Sequence, residues 1–253
     1  MQTTQSPFAE ILPRLYELKD AEPDPTHPDA YFRTFEKHLA ENSHVLSIYK
    51  KLESTLALLD ADAWRDLKER ATLCLMKHRE GRGWRALFDT LDEAKGYVYL
   101  QRAGCVDITF IKRTNKKTPD LRANLAGTRV LCEVKTINVS EEEVERRVRV
   151  ARGEIFATGV PNQLTAEMLQ KVHATIEHGI TQLDGEDQER SARRIVFTNV
   201  NFDESLHWQS EYIAQLDELF LANPIVGAEL VFCPTSNPYE QHFTMRSATV
   251  VEI

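Results

Sequence analysis

Asp120 follows Pro119 in the stretch TPDLRANLAGTRVLCEVKT, and Glu133 and Lys135 stand two residues apart near its end. TRVLCEVKTI reads as a β-strand, in which side chains alternate between faces and advance about 3.3 Å per residue. Glu133 and Lys135 therefore leave the same face, roughly 6 to 7 Å apart at their Cα atoms. Val130, Cys132 and Val134 face the other way and are available for burial. An acid and an amine side by side on a rigid strand, with a second acid on the strand before it, suit metal-assisted hydrolysis. Carboxylates are hard oxygen ligands for Mg²⁺. An ammonium beside them orients the attacking water or stabilises developing charge.

Those residues need elements to hold them. Residues 1 to 80 read as an all-helical N-terminal region, in which EPDPTHPDA is a Pro-punctuated linker. Val45, Ile48, Leu52 and Leu56 form one apolar stripe at helical spacing, with Ser43 as the expected N-cap. Trp64, Leu67, Ala71 and Cys74 or Leu75 form another. This region carries no nameable chemistry and is expected to pack as a helical bundle. Residues 81 to 253 form the second expected domain. A helix with Leu87, Leu91, Ala94 and Val98 on its apolar face carries Glu93 beside that face and ends at Gly104. VDITFIK then alternates as a strand, and PDLRA leads into the next short one.

Ser140 and Glu143 make a capping box that predicts a helix start, and Arg146, Arg147, Arg149 and Arg152 follow as a helix dipole favours. A long helix runs through Leu164, Met168, Val172, Ile176, Ile180 and Leu183, with Lys171, His178 and Gln182 as a polar row beside that stripe. RRIVFTNVNF and GAELVFCP read as strands around a further helix, and TMRSATVVEI as a last strand. The order from residue 82, α-β-β-β-α-α-β-α-β-β, predicts an α/β fold whose central mixed sheet is flanked by helices.

Composition excludes several classes. With 42% apolar and 28% charged residues the chain is an ordinary globular one, not a disordered one. No apolar run approaches the roughly 18 residues needed to cross a bilayer, so no membrane partner is expected. Cys74, Cys105, Cys132 and Cys233 lie far apart with no CxxC pair, which argues against a zinc site or a disulfide framework. With no secretory start at the N-terminus either, a cytoplasmic protein is expected. The net charge of -8 is unevenly spread. From Asp184 onward there are 12 acids against 4 bases, whereas residues 112 to 135 hold 7 bases and 2 acids. That local basic field surrounds Asp120, Glu133 and Lys135 and is compatible with a phosphate backbone.

A helix bearing an acid, strands carrying PD and ExK, then a long helix and another strand: this pattern resembles the PD-(D/E)XK nuclease superfamily. The resemblance covers about residues 82 to 200 and rests on Glu93, Pro119-Asp120 and Glu133-Val134-Lys135. It extends to a Leu and a Gly seven and eleven residues after Glu93, and to Lys171 and the Gln182-Leu183 pair on the long helix. It implies a restriction-endonuclease-like core and a Mg²⁺- or Mn²⁺-dependent endonuclease or exonuclease. Asp120, Glu133, Glu93 and the Val134 carbonyl would ligate the metal. Lys135 would act beside it, with Lys171 and Gln182 contacting the water or the scissile phosphate. DNA is the expected substrate ahead of RNA, with Arg113, Lys116, Lys117, Arg122, Arg146 and Arg149 as candidate phosphate contacts. A homodimer is left open, because double-strand cleavage calls for a dimer or paired nicks. The rival readings are a catalytically silent nucleic-acid-binding module and a protein-interaction module on the same fold.

Overall fold

The computed structural model describes residues 6–28, 30–76, 83–112, 118–137, 163–188, 191–201 and 209–235. The chain is α/β, with seven helices and a five-stranded mixed sheet among those residues. Contacts divide it into two compact units, Met1–Phe110 and Ile111–Ile253. No helix among the described residues is long and apolar enough to cross a membrane.

The first unit contains α1 (Pro13–Asp20), α2 (Phe35–Glu41), α3 (Ser43–Leu56), α4 (Ala61–Leu75), α5 (Gly83–Arg102) and β1 (Val106–Phe110). The second sequence-predicted stripe and the later half of the first build its core: Leu52, Leu56, Trp64, Leu67, Ala71 and Leu75 are buried, as are Leu15 and Leu18 of α1, whereas Val45 and Ile48 are only half-buried. The cap of α3 differs from expectation. Asn42, not Ser43, accepts the Val45 amide through Oδ1 at 3.2 Å, because Ser43 already has helical geometry and is too late to cap. Glu53 of α3 accepts the Arg14 and Leu15 amides, both at 3.0 Å, and so satisfies the first turn of α1.

Helix α5 is buried on every side from Thr90 to Leu100, including Asp92, Glu93 and Lys95. Charged residues at such positions need partners. Lys95 Nζ meets Asp92 Oδ1 at 2.8 Å, and Arg70 of α4 meets Glu93. Gly104 terminates α5 at a positive φ of 83°. Its amide donates to Gln101 and the Cys105 amide donates to Leu100, which satisfies the orphan carbonyls and turns the chain into β1.

The second unit contains β2 (Leu121–Leu125), β3 (Thr128–Ile137), α6 (Ala166–Glu186), β4 (Arg193–Asn201), α7 (Gln209–Ala222) and β5 (Glu229–Thr235). Strands run β2-β3-β4-β5, with β2 antiparallel to β3 and the other pairs parallel. Ala126 and Gly127 both take positive φ, the two-residue hairpin geometry that matches strand twist. The Asn124 side chain accepts the Gly127 amide and fixes that turn. Thr165 caps α6 by accepting the Met168 amide at 3.1 Å. A core of Met168, Val172, Ile176 and Leu183 from α6 and Tyr212, Leu216 and Phe220 from α7 joins Leu131, Ile137, Val196 and Leu230 of the sheet. The helix expected from Ser140 and the strand TMRSATVVEI lie outside the described residues.

Candidate active site

The β2–β3 register decides where the acids fall. Leu121 pairs with Cys132 in an antiparallel ladder, so the residues one step outward, Asp120 and Glu133, stand opposite each other on one face. Two bonds fix Asp120: its carbonyl accepts the Ile111 amide at 2.8 Å, and its Oδ2 accepts the Val134 amide at 2.9 Å. That second bond pulls the carboxylate against β3 one residue from Glu133. Two residues along β3, Lys135 Nζ reaches Glu133 Oε1 at 2.5 Å and also donates to Gln182 Oε1. Gln182 Nε2 donates in turn to the Thr118 carbonyl at 3.3 Å. One polar network thus links the PD turn, the ExK strand and α6.

Helix α6 covers this face at very short range. A Cβ at Gly179 would lie 3.2 Å from Val196 Cγ1, 3.5 Å from Glu133 Cγ and 3.5 Å from Lys135 Cε. Glycine is what lets the helix approach the acid and the lysine so closely. The resulting burial is severe, with Glu133 only 1% exposed. Burial first, and the neighbouring Asp120 charge second, push the Glu133 carboxyl up to about 8, although the Lys135 ammonium opposes them. Glu133 Oε2 is buried and has no hydrogen-bond partner among the described residues. A buried acceptor left in that condition costs stability and calls for an explanation.

Of the sequence-predicted residues, Asp120, Glu133, Lys135 and Gln182 come together in the second unit. Val134 joins them through its N–H, which holds Asp120. Arg122 is exposed on β2, two residues from Asp120 and on the same face, where its register partner is Leu131. Lys171 is exposed on α6, three turns before Gln182, about 16 Å along the helix axis, so the two do not converge. Glu93 belongs to the first unit, where its Oε2 meets Arg70 Nη1 at 2.5 Å and the Arg70 guanidinium lies over the Phe110 ring at 4.7 Å. Arg113, Lys116, Lys117, Arg146 and Arg149 lie outside the described residues.

Sequence reading missed Arg70, Gly179 and Thr198. Arg70 sits mid-helix in α4 with nothing in the sequence to pair it with Glu93. Gly179 interrupts an otherwise good helical pattern, which is a signal for close packing. Thr198 is a hydroxyl directly after the apolar run Ile195-Val196-Phe197 of RRIVFTNVN, and that break in character was the available clue.

The two carboxylates suit a small hard cation. Among the described residues no group of three or more His, Cys, Asp or Glu gathers at one point. Mg²⁺ needs no such cage, since it binds through one or two carboxylates and keeps several waters. The Asp120 and Glu133 carboxyls, side-chain hydrogen-bond partners while Glu133 keeps its proton, would supply oxygens for it once that proton is displaced. No family model matches this chain, and no match is found among curated proteins or solved structures.

Proposed function

We propose that this protein is a metal-dependent nuclease that hydrolyses phosphodiester bonds, with DNA as its substrate and Mg²⁺ or Mn²⁺ as cofactor. The observation that carries this reading is the convergence of Asp120 and Glu133 across β2 and β3, with Lys135 alongside on the same strand face. Burying one acid beside another raises the free energy of the fold, because Glu133 must either keep its proton or stand as a second negative charge. A fold that only needed a sheet would gain by apolar residues there. Retaining both acids is explained by a cation that draws them together.

Asp120 and Glu133 would hold the cation, and Val134 keeps the Asp120 carboxylate aimed by donating its amide to Oδ2. A bound divalent ion polarises a phosphoryl oxygen and lowers the pKa of a coordinated water. Lys135 places a positive charge where the phosphorane gains negative charge, and it acts in a site largely closed to water by α6. Gln182 orients the Lys135 ammonium and ties it to the Thr118 backbone, so the amine spends little entropy finding its position. Glu93, a third ligand by resemblance to the nuclease superfamily, belongs to the first unit, where Arg70 holds its carboxylate.

The test is cleavage of plasmid and oligonucleotide DNA in Mg²⁺, in Mn²⁺ and in a chelator, with the Asp120→Ala and Lys135→Ala proteins beside the wild type. Metal-dependent cleavage that both substitutions abolish is the expected result. Cleavage that survives both substitutions removes these residues from the reaction. Tight DNA binding without turnover in any metal favours the silent-module alternative.

A further inference from the structure

Thr198 on β4 is 1% exposed, and its hydroxyl has no hydrogen-bond partner among the described residues. Its face is set by the β3–β4 ladder, where Glu133 pairs with Val196 and Lys135 pairs with Thr198. A Cβ at Gly179 would touch both Val196 and Glu133, which confirms that this pair shares the face under α6. Thr198, two residues beyond Val196, therefore projects from the same face, directly beside Lys135 on a strand about 4.8 Å away. On its other side the register partner is Phe232, which offers no polar group. Asn199, also buried and without partners among the described residues, alternates to the opposite face and belongs to different surroundings. The one polar neighbour that the ladder gives Thr198 on this face is thus Lys135.

Lys135 is presently held by Glu133 Oε1 and Gln182 Oε1. A cation on the Glu133 carboxylate draws its charge away from the ammonium, so Oε1 becomes a weaker acceptor for Lys135 when the site is loaded. We infer that Thr198 is a positioning residue of this site: its hydroxyl takes over as acceptor for the Lys135 ammonium and holds it over the reacting phosphate. This assignment rests on the nuclease reading above. It also gives a use to a buried hydroxyl that has no hydrogen-bond partner among the described residues, a condition that costs stability.

The experiment compares wild type, Thr198→Val and Thr198→Ser, each as the full chain. Thermal unfolding is followed in a chelator, and steady-state DNA cleavage is followed in Mg²⁺. Val keeps the β-branched shape and deletes only the hydroxyl. With no internal hydrogen bond to lose, the Thr198→Val protein should unfold at the same or a higher temperature than wild type. Its kcat should fall by about tenfold or more, the effect of one charge-assisted hydrogen bond, with KM unchanged. Thr198→Ser should restore most of kcat, because the hydroxyl returns. A Thr198→Val protein with wild-type kcat, or one whose unfolding temperature falls, overturns the assignment while leaving the nuclease reading intact. Wild-type protein that cleaves nothing in either metal and takes no Mg²⁺ in calorimetry overturns the nuclease reading, and the role of Thr198 with it.

Discussion

Glu133→Gln offers the sharpest probe of the site, because it separates the structural cost of the buried acid from its chemical use. The folded protein raises the Glu133 carboxyl from an ordinary 4.5 to about 8, chiefly by burial and then by the Asp120 charge. Below pH 4.5 the group is protonated whether the chain is folded or not, and it places no demand on folding. Above 4.5 the unfolded chain releases the proton while the folded one retains it, so the unfolded state gains. Stability is therefore fully present below 4.5, is lost as pH rises, and levels off above about 8. One proton corresponds to about 1.4 kcal/mol per pH unit, so the loss across the window amounts to no more than about 5 kcal/mol. Glutamine keeps the shape and the acceptor for Lys135 but never ionises. Urea unfolding of both proteins at pH 5, 6, 7 and 8 in a chelator reports on the coupled Glu133–Asp120 pair, because titrating groups away from it are common to both proteins. The stability difference should grow steadily in favour of Glu133→Gln as pH rises. Parallel pH dependences, or a difference that grows the other way, would refute the buried-acid reasoning whatever the protein's activity. Saturating Mg²⁺ should offset the loss in wild type, by about 2.7 kcal/mol at one hundred times Kd, and leave Glu133→Gln unchanged.

Asp120→Ala should cost about 1 to 3 kcal/mol in urea unfolding, because the buried Val134 amide loses its acceptor. Asp120→Asn should recover most of that stability and none of the cleavage, since the amide oxygen still accepts the N–H but carries no charge for a cation. Gly179→Ala inserts a methyl 3.2 Å from the fully buried Val196. Overpacking at about 1 to 3 kcal/mol should outweigh the gain in helix propensity of about 1 kcal/mol, and a lowered thermal midpoint would show it. Arg70→Met should destabilise by about 1.5 to 3 kcal/mol, because Glu93 is 2% exposed and loses the charge-assisted hydrogen bond that Arg70 gives its Oε2. Equal unfolding midpoints for Arg70→Met and wild type would show that Glu93 is held by something else.

Much of the second unit was legible in the sequence because its periods are local. Alternation in TRVLCEVKTI put Glu133 and Lys135 on one face and Val130, Cys132 and Val134 on the other, and the Met168-to-Leu183 stripe marked the covering helix. In the first unit, Gly104 announced the end of α5 through the left-handed conformation that such an ending requires. Local pattern also located the acids, since PD and ExK are features of single segments.

Only the tertiary structure decided which of those residues meet. Whether Asp120 faces Glu133 depends on the hairpin register, which the turn at Ala126-Gly127 sets and which a slip of one residue would invert. Lys171 and Gln182 shared a polar row on paper, yet the rise of the helix separates them and only Gln182 reaches Lys135. Thr198 acquires its neighbour through a parallel crossover spanning the whole of α6, a pairing that no local period encodes. The raised pKa of Glu133 likewise belongs to no residue by itself. The sequence by itself determined which side chains could do chemistry and which strand face would carry them. The tertiary structure decided their partners, their burial and their charge, because those depend on contacts between segments far apart in the chain.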